Sequence, residues 1–351
     1  MIKSYKLIII LSCLLSTFFL LPTNFLFSNE IPDYKIKLGQ LFIFNITYNT
    51  DDKFIENIIS KYKLGGFNFI GSYTDQHQVK YLIEKIKYLT NKNQLPQPFL
   101  AVDQEGEISR LKFIKSTPQR LIKSKNSAFS IAYNRGKLIK QLGFNMIFSP
   151  VLDFTSNKQD YIYPRTFQQS KAKTIDLASS MIEGYKKAGI ISIPKHFPGY
   201  VKLNSDPHGK IQENLNLNDL QNSIDVFSKV INKTQPIGLM FAHIKISEFN
   251  NQVITRSEEF LNYSKNILNY NGLFITDSIG MKAFIENNKD FGEIALESIK
   301  AGYDILILPS NTKFSLEILN YLQSHIDDPE FQKSIDRSFN KIMKIKSENS
   351  L

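Results

Sequence analysis

The 351-residue sequence predicts an α/β fold, a single (β/α)8 TIM barrel preceded by a separate N-terminal segment. Three observations carry this. Short runs rich in Ile, Phe, Val and Leu recur eight times between residues 41 and 308 without strict alternation, as strands buried on both faces require. Amphipathic stretches of helical period separate them, and several end on a glycine just before the next run. Eight β–α units favour a closed barrel over the competing open, doubly wound sheet. No G-x-G-x-x-G follows the early strands and no P-loop is present, which argues against nucleotide-binding versions of either.

The strands are expected at Leu41–Ile46, Gly66–Gly71, Phe99–Gln104, Met146–Asp153, Ile191–His196, Gly238–His243, Leu273–Asp277 and Ile305–Leu308. Helical patterns lie between them, among others at Asp75–Leu89, Lys171–Ala188, Leu217–Ile231, Ser257–Leu268 and Phe291–Ala301. Gly143, Gly189, Gly272 and Gly302 are placed to end helices, since glycine tolerates the left-handed conformation there. Phe314–Ser350 reads as closing helices. No linker or internal repeat interrupts the chain after residue 35, so residues 31–351 are expected to form one domain.

Residues 1–30 are set apart by Lys3 and Lys6 ahead of an apolar run from Leu7 to about Phe27. This predicts a signal peptide cleaved near Ser28 or a retained membrane anchor, and either exports the domain to the periplasm or holds it on the membrane facing outward. Cys13, in a weak lipoprotein-like Ile10-Leu11-Ser12-Cys13 context, is the chain's one cysteine. The domain therefore has no disulfide and no thiolate metal site. The net charge of +10 comes from lysines spread over nearly every helical segment. That distribution fits a solvated surface rather than a nucleic-acid face, leaving a mild attraction to anionic envelope polymers. A monomer is expected.

In such a barrel the active site forms at the C-terminal strand ends. Here those ends carry Asp103-Gln104-Glu105, Asp153, Lys195-His196, His243 and Asp277. Charged or imidazole side chains at five strand ends are more than packing requires, and they point to a polar pocket. There is no Gly-x-Ser-x-Gly elbow for a serine hydrolase. His196, His208 and His243 are numerous enough to bind a metal, but Lys195 beside His196 disfavours a cation, so neither metal nor cofactor is expected.

These strand ends resemble glycoside hydrolase family 3, in particular its bacterial single-domain β-N-acetylhexosaminidases. The matching stretches are Asp103-Gln104-Glu105-Gly106, Phe148 to Asp153, Pro164-Arg165-Thr166-Phe167, Lys195-His196-Phe197-Pro198-Gly199 with Asp206 and His208 downstream, and Thr276-Asp277 through Met281. They occur in family order over residues 35–312. The resemblance implies an N-terminal-type barrel of that family and an exo-acting, retaining hydrolysis of terminal β-GlcNAc from cell-wall glycans. Asp277 would be the nucleophile, and His208, paired with Asp206, the acid/base. Asp103, Arg110, Arg165, Lys195 and His196 would hold the sugar, with Lys195 and Arg165 also keeping Asp277 ionised. A histidine acid/base departs from the usual pair of carboxylates, but its ordinary pKa suits donating and then accepting a proton.

The chain departs from the family at three places. Gly106-Glu107-Ile108-Ser109-Arg110 is one residue short, and Glu107 stands for a glycine. Tyr200-Val201-Lys202 stands where relatives have His-Gly-Asp, and Val201 removes a glycine hinge. Pro207 replaces the serine between Asp206 and His208 and stiffens that stretch. Two other readings follow: a β-glucosidase on the same fold, and an impaired barrel that binds glycans without turnover.

Overall fold

The computed structural model describes residues 33–203, 215–250, 252–281 and 290–351. Eight parallel strands form a ring: β1 (Phe42–Ile46), β2 (Gly66–Phe69), β3 (Phe99–Val102), β4 (Met146–Ile147), β5 (Ile191–Ser192), β6 (Gly238–Phe241), β7 (Leu273–Ser278) and β8 (Ile305–Leu308). The pairing order is β5-β4-β3-β2-β1-β8-β7-β6. The seam between β5 and β6 is closed just beyond β5, where Phe197 bridges Phe241 in parallel. There the Phe197 N–H donates to the Met240 carbonyl and the Ala242 N–H to the Phe197 carbonyl, each at 2.8 Å.

All eight expected strands are present at the expected places; six are shorter than expected, β4 and β5 by the most. The runs of β4 and β5 reach Pro150 and Pro194, which have no N–H to give to a ladder. Regular pairing therefore stops at Ile147 and Ser192, and the chain continues through single bonds such as Lys195 N–H to the Pro150 carbonyl.

Helices wrap the ring: α1 (Tyr34–Gly39), α2 (Asp52–Tyr62), α3 (Gln76–Lys92), α4 (Lys125–Leu142), α5 (Lys171–Ala188), α6 (Leu217–Thr234), α7 (Glu258–Leu268), α8 (Phe291–Ala301), α9 (Thr312–Ser324) and α10 (Pro329–Glu348). Their starts are capped as the sequence chemistry dictates. Ser124, Ser170 and Ser257 accept backbone N–H groups, and Asn216 forms a reciprocal capping box with Asp219. Gly143, Gly189 and Gly302 end α4, α5 and α8 in the left-handed conformation. Gly272 does not end α7. Asn269 adopts that conformation three residues earlier, with φ 45°, because its short polar side chain tolerates it.

The core is continuous from the inner strand faces to the helices. At the N-terminal end of the barrel α10 packs beneath it, and the Lys346 ammonium reaches the Gln40 side-chain carbonyl and the Gly65 backbone carbonyl at 2.7 and 3.1 Å. Among the described residues no helix is long and apolar enough to cross a membrane.

Candidate active site

A cavity of about 560 Å³ opens at the C-terminal ends of the strands, and Asp103, Arg110, Arg165, Lys195, His196 and Asp277 all line it. Asp206 and His208 lie outside the described residues.

Beyond β3, Asp103 and Glu105 are two residues apart and turn to the same side, as extended backbone requires. Gln104 points away and bonds the backbone N–H and carbonyl of Leu111, folding the chain that carries Arg110 back over the strand end. The Arg110 N–H donates to the Asp103 carbonyl at 3.2 Å. Its side-chain Nε is buried with no partner among the described residues, leaving a donor at the cavity wall.

Glu105 is the electrostatic centre of the site. It is 1% exposed and takes two parallel hydrogen bonds from Arg165, at 3.0 and 2.7 Å, and the Lys195 ammonium at 2.6 Å. Lys195 also bonds Asp103 at 2.5 Å. Burial works against every one of these charges. For Glu105 the neighbouring Arg165 and Lys195 outweigh it and hold the carboxyl far below the usual range. For Lys195 the two carboxylates outweigh it and raise the ammonium above its ordinary value. Arg165 is likewise held more firmly charged by Glu105. Lys195 and Arg165, expected to keep Asp277 ionised, thus make their direct contacts to Asp103 and Glu105 instead.

Asp153 organises the next strand end. One oxygen accepts both the backbone N–H and Nδ1 of His196 at 2.9 Å; the other accepts the Tyr200 N–H at 2.6 Å. Arg165 approaches His196 Nε2 at 3.3 Å and can only donate, so Nε2 accepts and the ring proton sits on Nδ1 toward Asp153. Burial opposes the charge of Asp153, and His196 and these hydrogen bonds outweigh it, so its carboxyl is held low. Gly199, with φ +132°, makes the turn: a Cβ there would meet the Ser223 Oγ at 2.4 Å.

On the opposite wall, Asp277 at the end of β7 accepts the Ser278 N–H on Oδ1 at 2.7 Å and the Tyr200 hydroxyl on Oδ2 at 3.0 Å. His243 is fully buried behind it, bonded through Nδ1 to Thr255 and through Nε2 to the Ser278 carbonyl. Its place at a strand end therefore marks a packing role. Among the described residues no group of three or more His, Cys, Asp or Glu is arranged to hold a metal ion.

Three residues that shape the site, Glu105, Asp153 and Tyr200, were noted in the sequence but given no role in it. Glu105 had a readable signal, its two-residue offset from Asp103. Asp153 had its strand-end position. Tyr200 had none, because nothing local tells a buried tyrosine's hydroxyl which carboxylate it will meet.

The chain is 25% identical over 298 residues to a β-hexosaminidase A of Pseudoalteromonas piscicida, covering 77% of this chain and 50% of that protein, so it spans about half the relative's length. It is also 25% identical over 279 residues to a β-hexosaminidase of Pasteurella multocida, covering 75% of this chain and 77% of the relative. A family 3 β-N-acetylglucosaminidase structure from a Paenibacillus species superposes with a TM-score of 0.82 at 21% identity, over 91% of this chain and 63% of that one, and so shares the fold. Residues 34–345 match the glycosyl hydrolase family 3 N-terminal domain, almost the whole described barrel, and to that family of glycoside hydrolases the chain belongs.

Proposed function

We propose that the chain is a retaining exo-β-N-acetylhexosaminidase that removes terminal β-linked GlcNAc. The observation that carries this reading is the single cavity with Asp277 on one wall and Asp103, Arg110, Arg165, Lys195 and His196 around the rest. Asp277 attacks the anomeric carbon to form a glycosyl-enzyme. His208, oriented by Asp206, protonates the departing oxygen and then takes a proton from the attacking water. Lys195 occupies one oxygen of Asp103 and leaves the other to accept from a sugar hydroxyl. Arg110, which lines the same cavity, supplies a cationic donor. The hexosaminidase names of the relatives support the choice of sugar.

The charged, then apolar, N-terminal segment supports export or anchoring, and with it a cell-wall glycan as substrate. The test uses chain lacking residues 1–30 and an aryl β-GlcNAc. Turnover is expected, and Asp277→Asn removes it almost entirely. Preferential turnover of the aryl β-glucoside would assign the glucosidase activity instead, and an active Asp277→Asn protein would remove Asp277 from the chemistry.

A further inference from the structure

Tyr200 follows the Gly199 turn, and its surroundings give it one donor to spend. The side chain is 1% exposed. Its hydroxyl oxygen accepts the His243 N–H at 3.1 Å, so its own proton is directed to Asp277 Oδ2 at 3.0 Å. Burial, then the charge of Asp277, pushes the phenol well above its ordinary pKa, so it remains a donor throughout the working range.

The hydroxyl is held from several sides. The Tyr200 backbone is tied to Asp153, the ring lies 5.0 Å from that of His196, and Gly199 admits no side chain. The chain is also fixed further on: Lys202 N–H donates to Asp160 at 3.1 Å, and the Leu203 carbonyl accepts from Tyr161 N–H at 2.7 Å. Backbone hydrogen bonds thus hold the chain at Tyr200, Lys202 and Leu203.

We propose that Tyr200 is a positioning residue for the hydrolysis, holding Asp277 as an oriented carboxylate for attack and receiving its charge when the glycosyl-enzyme breaks down. This rests on Asp277 being the nucleophile. In the first step the bond from an Asp277 oxygen to the anomeric carbon forms, the bond to the leaving oxygen breaks, and that oxygen takes the acid's proton. In the second, the water oxygen bonds the anomeric carbon, the ester bond breaks, and its electron pair returns to Asp277 as the water's proton passes to the base. The tyrosine bond weakens in the first step, as the carboxylate loses charge, and strengthens in the second. Tyr200 therefore assists glycosyl-enzyme breakdown more than its formation.

The experiment compares wild type with Tyr200→Phe on an aryl β-GlcNAc. A hydrogen bond to a charged group corresponds to roughly a tenfold to hundredfold effect. The expected result is a kcat lower by about tenfold or more, a KM that falls with it as the glycosyl-enzyme accumulates, and an acid limb of the kcat/KM profile moved upward. Among the described residues, the titratable groups sharing the cavity with Asp277 and Tyr200, namely Asp103, Glu105, Arg110, Tyr161, Arg165, Lys195 and His196, are unchanged in the variant. A second measurement places 3-fluorotyrosine at position 200. This stronger donor of nearly equal size moves the acid limb the opposite way without emptying the site.

Unchanged kcat and acid limb in both proteins overturn the proposal. Labelling wild type with a 2-deoxy-2-fluoro glycoside separates it from the functional reading. Adduct at Asp277 with kinetics indifferent to Tyr200 overturns the positioning role alone, whereas adduct at another residue overturns both.

Discussion

Two lysines are buried at opposite ends of β3, and they end in opposite electrostatic states. Lys195 lies beyond its C-terminal end, 2% exposed, with two carboxylates at 2.5 and 2.6 Å. Lys346 lies under its N-terminal end, 1% exposed, with two neutral carbonyl oxygens and the Phe99 ring, whose centroid is 4.8 Å away. Burial lowers the Lys346 ammonium to about 7, whereas the carboxylates raise that of Lys195. Depth alone therefore does not decide whether an ammonium survives in this barrel; the partners do. Charge at the C-terminal end of β3 is concentrated and compensated. At the other end of β3, Lys346 is held by packing and by hydrogen bonds to neutral oxygens.

The strongest way to break this contrast is Glu105→Gln. It leaves Arg165 and Lys195 buried with one shared carboxylate fewer, a change that typically costs about 3–5 kcal/mol. Urea unfolding is expected to show that loss, and turnover of the aryl glycoside is expected to fall with it as Lys195 and Arg165 shift.

Lys346→Met acts at the other end with the opposite sign. The unfolded lysine has a pKa of about 10.4, and the folded one about 7. Between those values the unfolded chain binds more protons, so this group contributes stability that declines as pH falls from 10 toward 7. Methionine removes the penalty. The expected gain is about 1–4 kcal/mol at pH 7, shrinking toward pH 9.5, so the variant's stability curve is flatter there than that of wild type. Equal slopes in denaturant melts at pH 7, 8 and 9 would show that Lys346 stays charged.

The smallest effect is expected of Gln40→Glu, which offers Lys346 a carboxylate like those of Lys195. It also loses the Gln40 Nε2 bond to the Lys63 carbonyl at 2.9 Å. The two changes nearly offset, leaving a difference below about 1 kcal/mol but a flattened pH slope. That slope separates compensation of charge from any gain in packing.

The barrel was largely legible because its grammar is local. An apolar run, a polar strand end, an amphipathic stretch and a glycine recur, and each strand end that carried chemistry-bearing residues lies at the top of the ring. The misreadings were also local in cause. Pro150 and Pro194 cut two strands short, and Asn269 took the place expected of Gly272. Six of the residues expected in the site, Asp103, Arg110, Arg165, Lys195, His196 and Asp277, line one cavity, but their pairings were not legible. The sequence put Lys195 and Arg165 near Asp277; their contacts to Glu105 depend on how far apart the strand ends stand and which carboxylate is most deeply buried. The Tyr200 bond to Asp277 spans 77 residues, and no period or motif encodes a contact of that separation.

The seam at Phe197 joins these two stories. Phe197 bridges Phe241 where the ring closes, and its neighbours Lys195, His196 and Tyr200 line the cavity. That wall of the cavity is therefore tied to the closure of the ring, and opening it locally would break the hydrogen bonds that join the two ends of the sheet.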